Sequence, residues 1–152
     1  MKIGIISDTH DHLDKIKEAV EIFNKYRVEL VIHAGDFVAP FSLAPFKSLK
    51  CEWIGVLGNN DGEKKGLEIA SQGRIKPVTP YFLEVDSRRI AVMHIFEDVS
   101  APIIVCGHTH NLQIQRGEKL IINPGEACGW LTGKSSLVIL DSKDLKVEEV
   151  YF

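Results

Sequence analysis

The sequence predicts an α/β fold in which two mixed β-sheets pack face to face with helices outside, as one domain over residues 1–152. In the first half of the chain, apolar runs of strand length alternate with helix-like periodicity, which is typical of parallel strands joined by helical crossovers. Beyond Arg74 the candidate strands follow one another closely through short turns, which indicates hairpins and a second sheet. The composition, 45% hydrophobic and 26% charged residues, is that of a globular protein with a substantial core.

The first half contains three predicted strands, at Lys2–Ile6, Leu30–His33 and Cys51–Leu57. Helical segments are predicted between and after them. The first has an apolar face formed by Leu13, Ile16, Val20 and Phe23; the others cover Phe41–Leu49, which is weakly helical, and Lys64–Ser71. Asp11 is the expected N-cap of the first helix, because an aspartate side chain can accept a hydrogen bond from a free backbone N–H of the first turn.

The second half is predicted to be almost entirely strands and turns. The candidate strands are Tyr81–Val85, Arg89–His94, Ile103–Cys106, Gln113–Arg116, Lys119–Ile122, Ser136–Asp141 and Val147–Tyr151. Asp86-Ser87-Arg88 suits the turn of a hairpin between the first two. The glycine-rich stretch Gly125–Gly133, which contains Cys128 and Trp130, is expected to be a surface loop.

The net charge of −3 makes this chain a poor candidate for a general nucleic-acid or anionic-membrane binder, since such proteins carry concentrated basic surfaces. No apolar run approaches the roughly 20 residues that cross a bilayer. Three widely spaced cysteines fit reduced thiols better than a disulfide framework. We therefore expect a cytoplasmic protein without a membrane partner.

Polar residues of metal-binding type lie at or just beyond the carboxyl ends of the predicted strands. They are Asp8, His10, Asp36, Asn59, Asp61, His94, His108 and His110. Because ligands of open α/β sheets gather beyond the carboxyl ends of the strands, these side chains are expected to share one crevice. The i, i+2 spacing of Asp8 with His10 and of His108 with His110 would direct both members of each pair to one side if the backbone were extended.

This mixed set of nitrogen and oxygen ligands suits Mn, Fe, Zn or Ni better than Ca or Mg alone, and it exceeds what one ion needs. We therefore expect two divalent ions about 3.5–4 Å apart, bridged by a carboxylate for which Asp36 is the best candidate. Such a pair can hold phosphate oxygens and lower the pKa of a water molecule, which then attacks phosphorus in line with the leaving oxygen. The predicted substrate is a small phosphate ester.

Five ordered blocks of this sequence resemble the calcineurin-like metallophosphoesterase superfamily, and more narrowly its small YfcE-like phosphodiesterases. The matching blocks are Asp8-Thr9-His10, Gly35-Asp36, Gly58-Asn59-Asn60-Asp61 with His94, Gly107-His108-Thr109-His110 and Asn123-Pro124-Gly125. The resemblance implies an αββα sandwich in which one ion is held by Asp8, His10, Asp36 and His110. The second would be held by Asp36, Asn59, His94 and His108. It also implies Mn or Ni, with Zn, Fe or Mg as alternatives, and a homodimer or homotetramer.

The sequence departs from the superfamily pattern at two places. Many members have a histidine directly after the metal-binding asparagine, whereas this chain has Asn60 and then Asp61, so the proton donor is unassigned. Asn60 and Asp61 are candidates for orienting a ligand or transferring a proton, and Asp61 equally suits a plain turn. The block at His94 usually reads His-Gly-His, but here Ile95 and Phe96 follow, and only Ile95–Pro102 separate His94 from the next strand. We expect either a single helical turn or an altered topology there, and open substrate access.

Each site residue taken singly also has a structural explanation. His12 is expected at the surface or at a helix cap, and His33 as a hydrogen-bonded residue at a strand end. Two other functions remain open besides the phosphodiesterase: a non-enzymatic interaction module like the retromer subunit of the same fold, and a phosphomonoesterase or nucleotide hydrolase. Intact Asp8, His10, Asp36 and Asn59 favour the enzyme.

Overall fold

The structure, a computed structural model, describes residues 1–152 and contains a six-stranded mixed sheet. Its strands, in chain order, are β1 (Lys2–Ile6), β2 (Leu30–His33), β3 (Glu52–Val56), β4 (Ile75–Lys76), β10 (Ser136–Asp141) and β11 (Val147–Tyr151). They lie in the order β11-β10-β1-β2-β3-β4. Strands β1 to β4 are mutually parallel, and β10 pairs antiparallel with β1.

The second sheet has five strands in the order β5-β6-β7-β9-β8. They are β5 (Tyr81–Val85), β6 (Arg88–Val92), β7 (Ile103–Val105), β8 (Leu112–Arg116) and β9 (Leu120–Pro124). The pairs β6–β7 and β7–β9 are parallel, whereas β5–β6 and β8–β9 are antiparallel. The predicted metal ligands follow the carboxyl ends of five strands: β1, β2 and β3 of the first sheet, and β6 and β7 of the second.

Successive residues of β1 face opposite sides of the first sheet, which shows how the two sheets form the core. Ile3 and Ile5 lie between the two sheets, in a cluster that also contains Val92, Val105 and other residues of both inner faces. Gly4 faces the opposite side, where a Cβ atom would stand 2.5 Å from the ring of Phe23. The missing side chain therefore lets a helix lie directly on the sheet.

Three helical segments pack against the outer face of the first sheet: α1 (Leu13–Tyr26), a 3₁₀ segment (Pro40–Ser48) and α2 (Lys64–Ala70). The predicted apolar face of α1 is largely buried, with Ile16, Val20 and Phe23 in the core. The predicted N-cap is wrong, because His12 holds that position without a side-chain capping bond. Asp11 instead accepts a hydrogen bond at 2.9 Å from the backbone N–H of Ala39, which lies in the loop after β2. The sequence could not show this because the partner is distant along the chain.

The connection from β6 to β7 has neither of the two predicted forms. The two strands are parallel neighbours, and the residues between them contain no helix. Met93 and Ala101 of this connection fold back onto the outer face of the second sheet and pack against Ile104. An irregular segment can connect these parallel strands without a helix because its own apolar side chains cover part of the sheet.

The predicted fold class is confirmed, since two mixed sheets are flanked by helices as expected. Five predicted strands have the observed boundaries, and the others differ by one or two residues at an end. Strand β4 (Ile75–Lys76) was not predicted, because two residues give no periodic signal. The structure has no helix with the length and apolar character that spanning a membrane requires.

Candidate metal centre

The seven predicted ligands lie at the carboxyl ends of five strands. Asp8 and His10 follow β1, Asp36 follows β2, Asn59 follows β3, His94 follows β6, and His108 and His110 follow β7. The structure brings all seven to one place, between the ends of the two sheets. They form two adjoining groups.

The first group joins residues after β1 to a histidine after β7. His10 Nε2 lies 3.8 Å from Asp8 Oδ1, and His110 Nε2 lies 3.4 Å from the same oxygen. The imidazole rings of His10 and His110 stack with their centroids 5.2 Å apart. Two nitrogens and a carboxylate oxygen thus converge on one point.

The second group is centred on the amide of Asn59. Its Oδ1 lies 2.9 Å from His94 Nε2 and 2.9 Å from His108 Nδ1. Asp36 lies between the two groups: its Oδ2 is 3.4 Å from His10 Nε2 and 3.3 Å from His94 Nε2. This is the position that a bridging carboxylate requires.

Two buried atoms of the first group, Asp8 Oδ1 and His10 Nε2, have no hydrogen-bond partner in the protein. Leaving a buried polar atom unpaired costs about 1–3 kcal/mol, and more when it is charged. Metal–ligand distances of about 2.0–2.2 Å allow two ligands of one ion to lie 3–4 Å apart. The residues present therefore fit a divalent cation, which would satisfy both atoms at once.

Hydrogen bonds on the far side of two histidines determine which nitrogen faces the site. His94 Nδ1 lies 2.7 Å from the carbonyl oxygen of Ala34, and His110 Nδ1 lies 2.8 Å from Glu126 Oε2. Because both partners are acceptors, each Nδ1 donates, and in the neutral ring Nε2 presents a lone pair. The His94 lone pair then faces Asn59 Oδ1, another acceptor, and a cation or a proton between them would satisfy both.

Glu126 belongs to the site although sequence reasoning missed it. The residue is fully buried, and besides His110 its carboxylate accepts hydrogen bonds from the backbone N–H groups of Leu131 and Thr132 and from the Thr132 hydroxyl. Burial opposes its charge, but these donors prevail and lower the pKa of Glu126 to about 2. The only local signal was its place directly after Asn123-Pro124-Gly125.

The stretch Gly125–Gly133 was predicted to be a surface loop, and this is wrong for its first half. Residues 125–128 are buried, and Trp130 is the first exposed residue.

Asn60 and Asp61 form hydrogen bonds to the loops that contain the candidate ligands, and neither side chain joins the two ligand groups. Asn60 donates from its backbone N–H and its side-chain amide to the two oxygens of Asp36, each at 2.8 Å. Asp61 Oδ2 accepts from the backbone N–H of Asp36 and of Gly58, and Oδ1 accepts from Val38. Both residues thus hold the loops after β2 and β3 together.

Five of the seven predicted ligands have a left-handed backbone. Their φ angles are 52° at Asp8, 38° at His10, 61° at Asp36, 71° at His108 and 62° at His110. The expectation of extended backbone at the i, i+2 pairs is therefore wrong, although both side chains of each pair reach the site. Non-glycine residues seldom adopt positive φ, and such strain concentrates at functional sites.

Glycines allow the strand ends to approach closely. A Cβ atom at Gly58 would stand 2.1 Å from Asp36 Oδ1, and one at Gly107 would stand 2.1 Å from Ser7 Oγ and 2.9 Å from Asp8 Oδ2. Any side chain at either position would displace a predicted ligand. The glycines at these two positions are thus explained by the carboxylate that lies against each of them.

Neighbouring histidines and carboxylates of the site shift each other's pKa values. The nearby Asp8 carboxylate raises the pKa of His10, and hydrogen bonding to Asp36 raises the pKa of His94 against the opposing effect of burial. Burial disfavours the charge of Asp36, but bonds from His94 and Asn60 hold its pKa below the usual range. A cation that uses these histidine nitrogens must displace their protons, so acid weakens its binding.

The remaining histidines lie outside the ligand groups. His33 is completely buried, and burial lowers its pKa well below the usual value. Its Nδ1 accepts from the Gly35 backbone N–H, so Nε2 donates to the Thr9 hydroxyl, as expected for a hydrogen-bonded strand end. His12 lies at the start of α1, with Nδ1 within 3.0 Å of both the Cys128 carbonyl oxygen and Trp130 Nε1.

Comparisons with known proteins agree with this geometry. A family model described as the calcineurin-like phosphoesterase superfamily domain matches residues 1–145. The phosphodiesterase MJ0936 of Methanocaldococcus jannaschii is 38% identical over 163 residues, covering 99% of this chain and 98% of that protein. Among solved structures, an archaeal phosphodiesterase is 36% identical with a TM-score of 0.93 and complete coverage of both chains. YfcE, a phosphoesterase from E. coli, is 21% identical with a TM-score of 0.72, covering 99% of this chain and 98% of that one.

The retromer-like alternative is not favoured by these comparisons. Vps29 of Chaetomium thermophilum has a TM-score of 0.73 over 100% of this chain and 96% of that one, but at 15% identity the likeness concerns the fold alone. By contrast, the relatives above 30% identity are named as phosphodiesterases or as a metallophosphoesterase. Since the superfamily model and a 38% identical relative each cover nearly the whole chain, the protein belongs to the calcineurin-like phosphoesterase superfamily.

Proposed function

We propose that this protein is a metal-dependent phosphodiesterase that hydrolyses a small phosphodiester at a dinuclear centre. The observation that carries the proposal is the pair of partnerless buried atoms, Asp8 Oδ1 and His10 Nε2, beside a carboxylate shared by two groups of ligands. The relatives named as phosphodiesterases support the diester preference.

The proposed ligands of one ion are Asp8, His10, Asp36 and His110, and those of the other are Asp36, Asn59, His94 and His108. Residues 1–152 would act as one domain. When bound, two divalent ions would draw charge from the phosphate oxygens and acidify a water molecule for in-line attack on phosphorus. We propose Mn or Ni as the two bound ions. We also propose that the protein is cytoplasmic and forms a homodimer or homotetramer.

The protein's own residues would position this chemistry. Asn60 holds both oxygens of Asp36 through two 2.8 Å hydrogen bonds, so the carboxylate cannot rotate away from either group. Ala34 and Glu126 fix the rings of His94 and His110 with Nε2 toward the centre. Such outer partners orient ligands and maintain their basicity.

The decisive experiment combines metal analysis with a substrate panel. Purified protein, stripped with EDTA and reloaded with Mn, Ni, Zn or Mg in turn, should bind two ions per chain and cleave bis(p-nitrophenyl) phosphate faster than p-nitrophenyl phosphate. The stripped protein should be inactive. Failure to hydrolyse either ester with any of the four metals would overturn the enzymatic proposal, and faster monoester cleavage would replace the diesterase with a monoesterase.

Replacing Glu126 by Gln should weaken metal binding about 10- to 100-fold, the usual effect of losing an outer partner of a histidine ligand. Glutamine keeps the size of the side chain, but its amide can present a donor to His110 Nδ1, which already donates. Calorimetric titration of the stripped protein with Mn measures this effect. Glu149→Gln, at an exposed residue of β11, is the matched control and should bind as the wild type does. Unchanged affinity in Glu126→Gln would show that this hydrogen bond does not position His110.

A further inference from the structure

A second concave surface adjoins the candidate metal centre on the outer face of the second sheet. It is a cleft of about 330 Å³ with Ile95 and Phe96 at its edge, the sheet residues Gln113, Gln115 and Ile121 in its lining, and His108 at its border with the centre. This volume lies within the usual range for small-molecule sites. A larger groove of about 540 Å³, lined by Phe46 and Trp53, contains none of the proposed ligands.

The cleft exists because no helix covers this part of the second sheet. The three helical segments pack on the first sheet, and the connection after β6 covers the second sheet only with Met93 and its neighbours. Ile95 and Phe96 of the same connection are left 52% and 46% exposed. Gln113 and Gln115 alternate with Leu112 and Ile114, which pack toward the inner core, so the glutamines face outward.

The lining is chemically neutral. It contains no Lys, Arg, Asp or Glu, and it combines the aromatic ring of Phe96 with the amides of Gln113 and Gln115. Neither glutamine side chain forms a hydrogen bond within the protein, whereas the Asn123 amide is already engaged with Gly107, Thr109 and Gly125. A charged group would therefore find no Lys, Arg, Asp or Glu to pair with, while a flat ring with a polar edge would find both stacking and hydrogen bonds.

We propose that this cleft binds one ester substituent of the diester and that the substituent is a neutral planar aromatic ring, aryl or nucleobase, stacked on Phe96. The inference rests on the proposed function, because His108 links the cleft to the site where the phosphate would lie. A phosphodiester held at the centre has two substituents, and the cleft is the adjoining neutral surface. Phe96 is thus a specificity residue of this site.

The test compares two stable diesters, diphenyl phosphate and dicyclohexyl phosphate, which differ in aromaticity but are close in size. Calorimetry on metal-loaded protein should show tighter binding of diphenyl phosphate. Phe96→Ala should remove this preference, weakening diphenyl phosphate about tenfold, in line with ring stacking elsewhere. Phe96→Tyr should retain it. Phe41→Ala, at an exposed aromatic residue on the helical side, should change nothing.

The results separate this inference from the proposed function. If the wild type cleaves bis(p-nitrophenyl) phosphate but binds both stable diesters equally, or if Phe96→Ala leaves the preference intact, the cleft proposal fails and the phosphodiesterase stands. If Phe96→Ala alters the oligomeric state in size-exclusion chromatography while the preference persists, the cleft is a contact between copies, which also overturns it. Unfolding temperatures should agree between variants, because Phe96 is half exposed.

A second pair of ligands identifies which aromatic group is preferred. Adenosine 5′-(methyl phosphate) and phenyl methyl phosphate share the phosphate and the methyl group and differ in the second substituent. A nucleobase would use the free glutamine amides, so Gln115→Leu should weaken the adenosine ester selectively if a base is preferred. Tighter binding of phenyl methyl phosphate, unchanged by Gln115→Leu, would assign the cleft to a simple aryl group.

Discussion

Replacing Asp36 by Asn is expected to lower kcat/KM for an activated phosphodiester by about 10³-fold, because metal-ion catalysis supplies several kcal/mol and each 1.36 kcal/mol is a tenfold change in rate. The carboxylate lies 3.3–3.4 Å from a histidine nitrogen of each ligand group, so in the proposed dinuclear centre it is the one side chain that would contact both ions. Asparagine keeps its shape but removes the negative charge. The amide nitrogen would also oppose a donor of Asn60.

Metal analysis should accompany these kinetics. Asp36→Asn is expected to retain at most one ion per chain after dialysis where the wild type retains two. Asp14→Asn, at a highly exposed aspartate of α1, is the control for the chemical change itself and should keep both ions and full activity. Two tightly held ions in Asp36→Asn would show that this carboxylate is not the bridge, whatever the rate.

Replacing Asp61 by Ala should destabilise the protein by about 3 kcal/mol or more. Its two oxygens accept hydrogen bonds from the backbone N–H groups of Asp36, Val38 and Gly58, and an unpaired buried donor costs about 1–3 kcal/mol. The bond to Val38 also holds a β-branched residue at a φ of 87°, a strained conformation that needs such support. Urea denaturation of the stripped proteins measures the loss of free energy of unfolding.

Asp61→Asn separates a positioning role from proton transfer. One acceptor oxygen, that of the amide, remains, so part of the hydrogen bonding survives and the destabilisation should be smaller than with alanine. If Asp61 only positions the loops, activity should follow metal occupancy. Loss of kcat with both ions retained, together with a lost limb of the pH–rate profile, would instead assign proton transfer to Asp61.

The sequence alone determined the fold class and the seven candidate ligands that meet at the centre, although not Glu126. Strand-length apolar runs ending in Asp8, Asp36 and Asn59 were sufficient, because parallel strands necessarily place their carboxyl ends at one edge of the sheet. The ordered blocks around them also indicated the superfamily. These signals are local in the chain, and hydrophobic periodicity is the strongest local signal that a sequence contains.

Only the tertiary structure decided how these side chains are held and what surrounds them. Glu126 meets His110 across 16 positions of the chain, and Asp61 gathers three N–H groups from two loops, so neither contact has a pattern in the sequence. The open face beside Phe96 likewise follows from where the helices pack. Burial and hydrogen-bond partners belong to the assembled fold, and one residue's neighbours along the chain do not specify them.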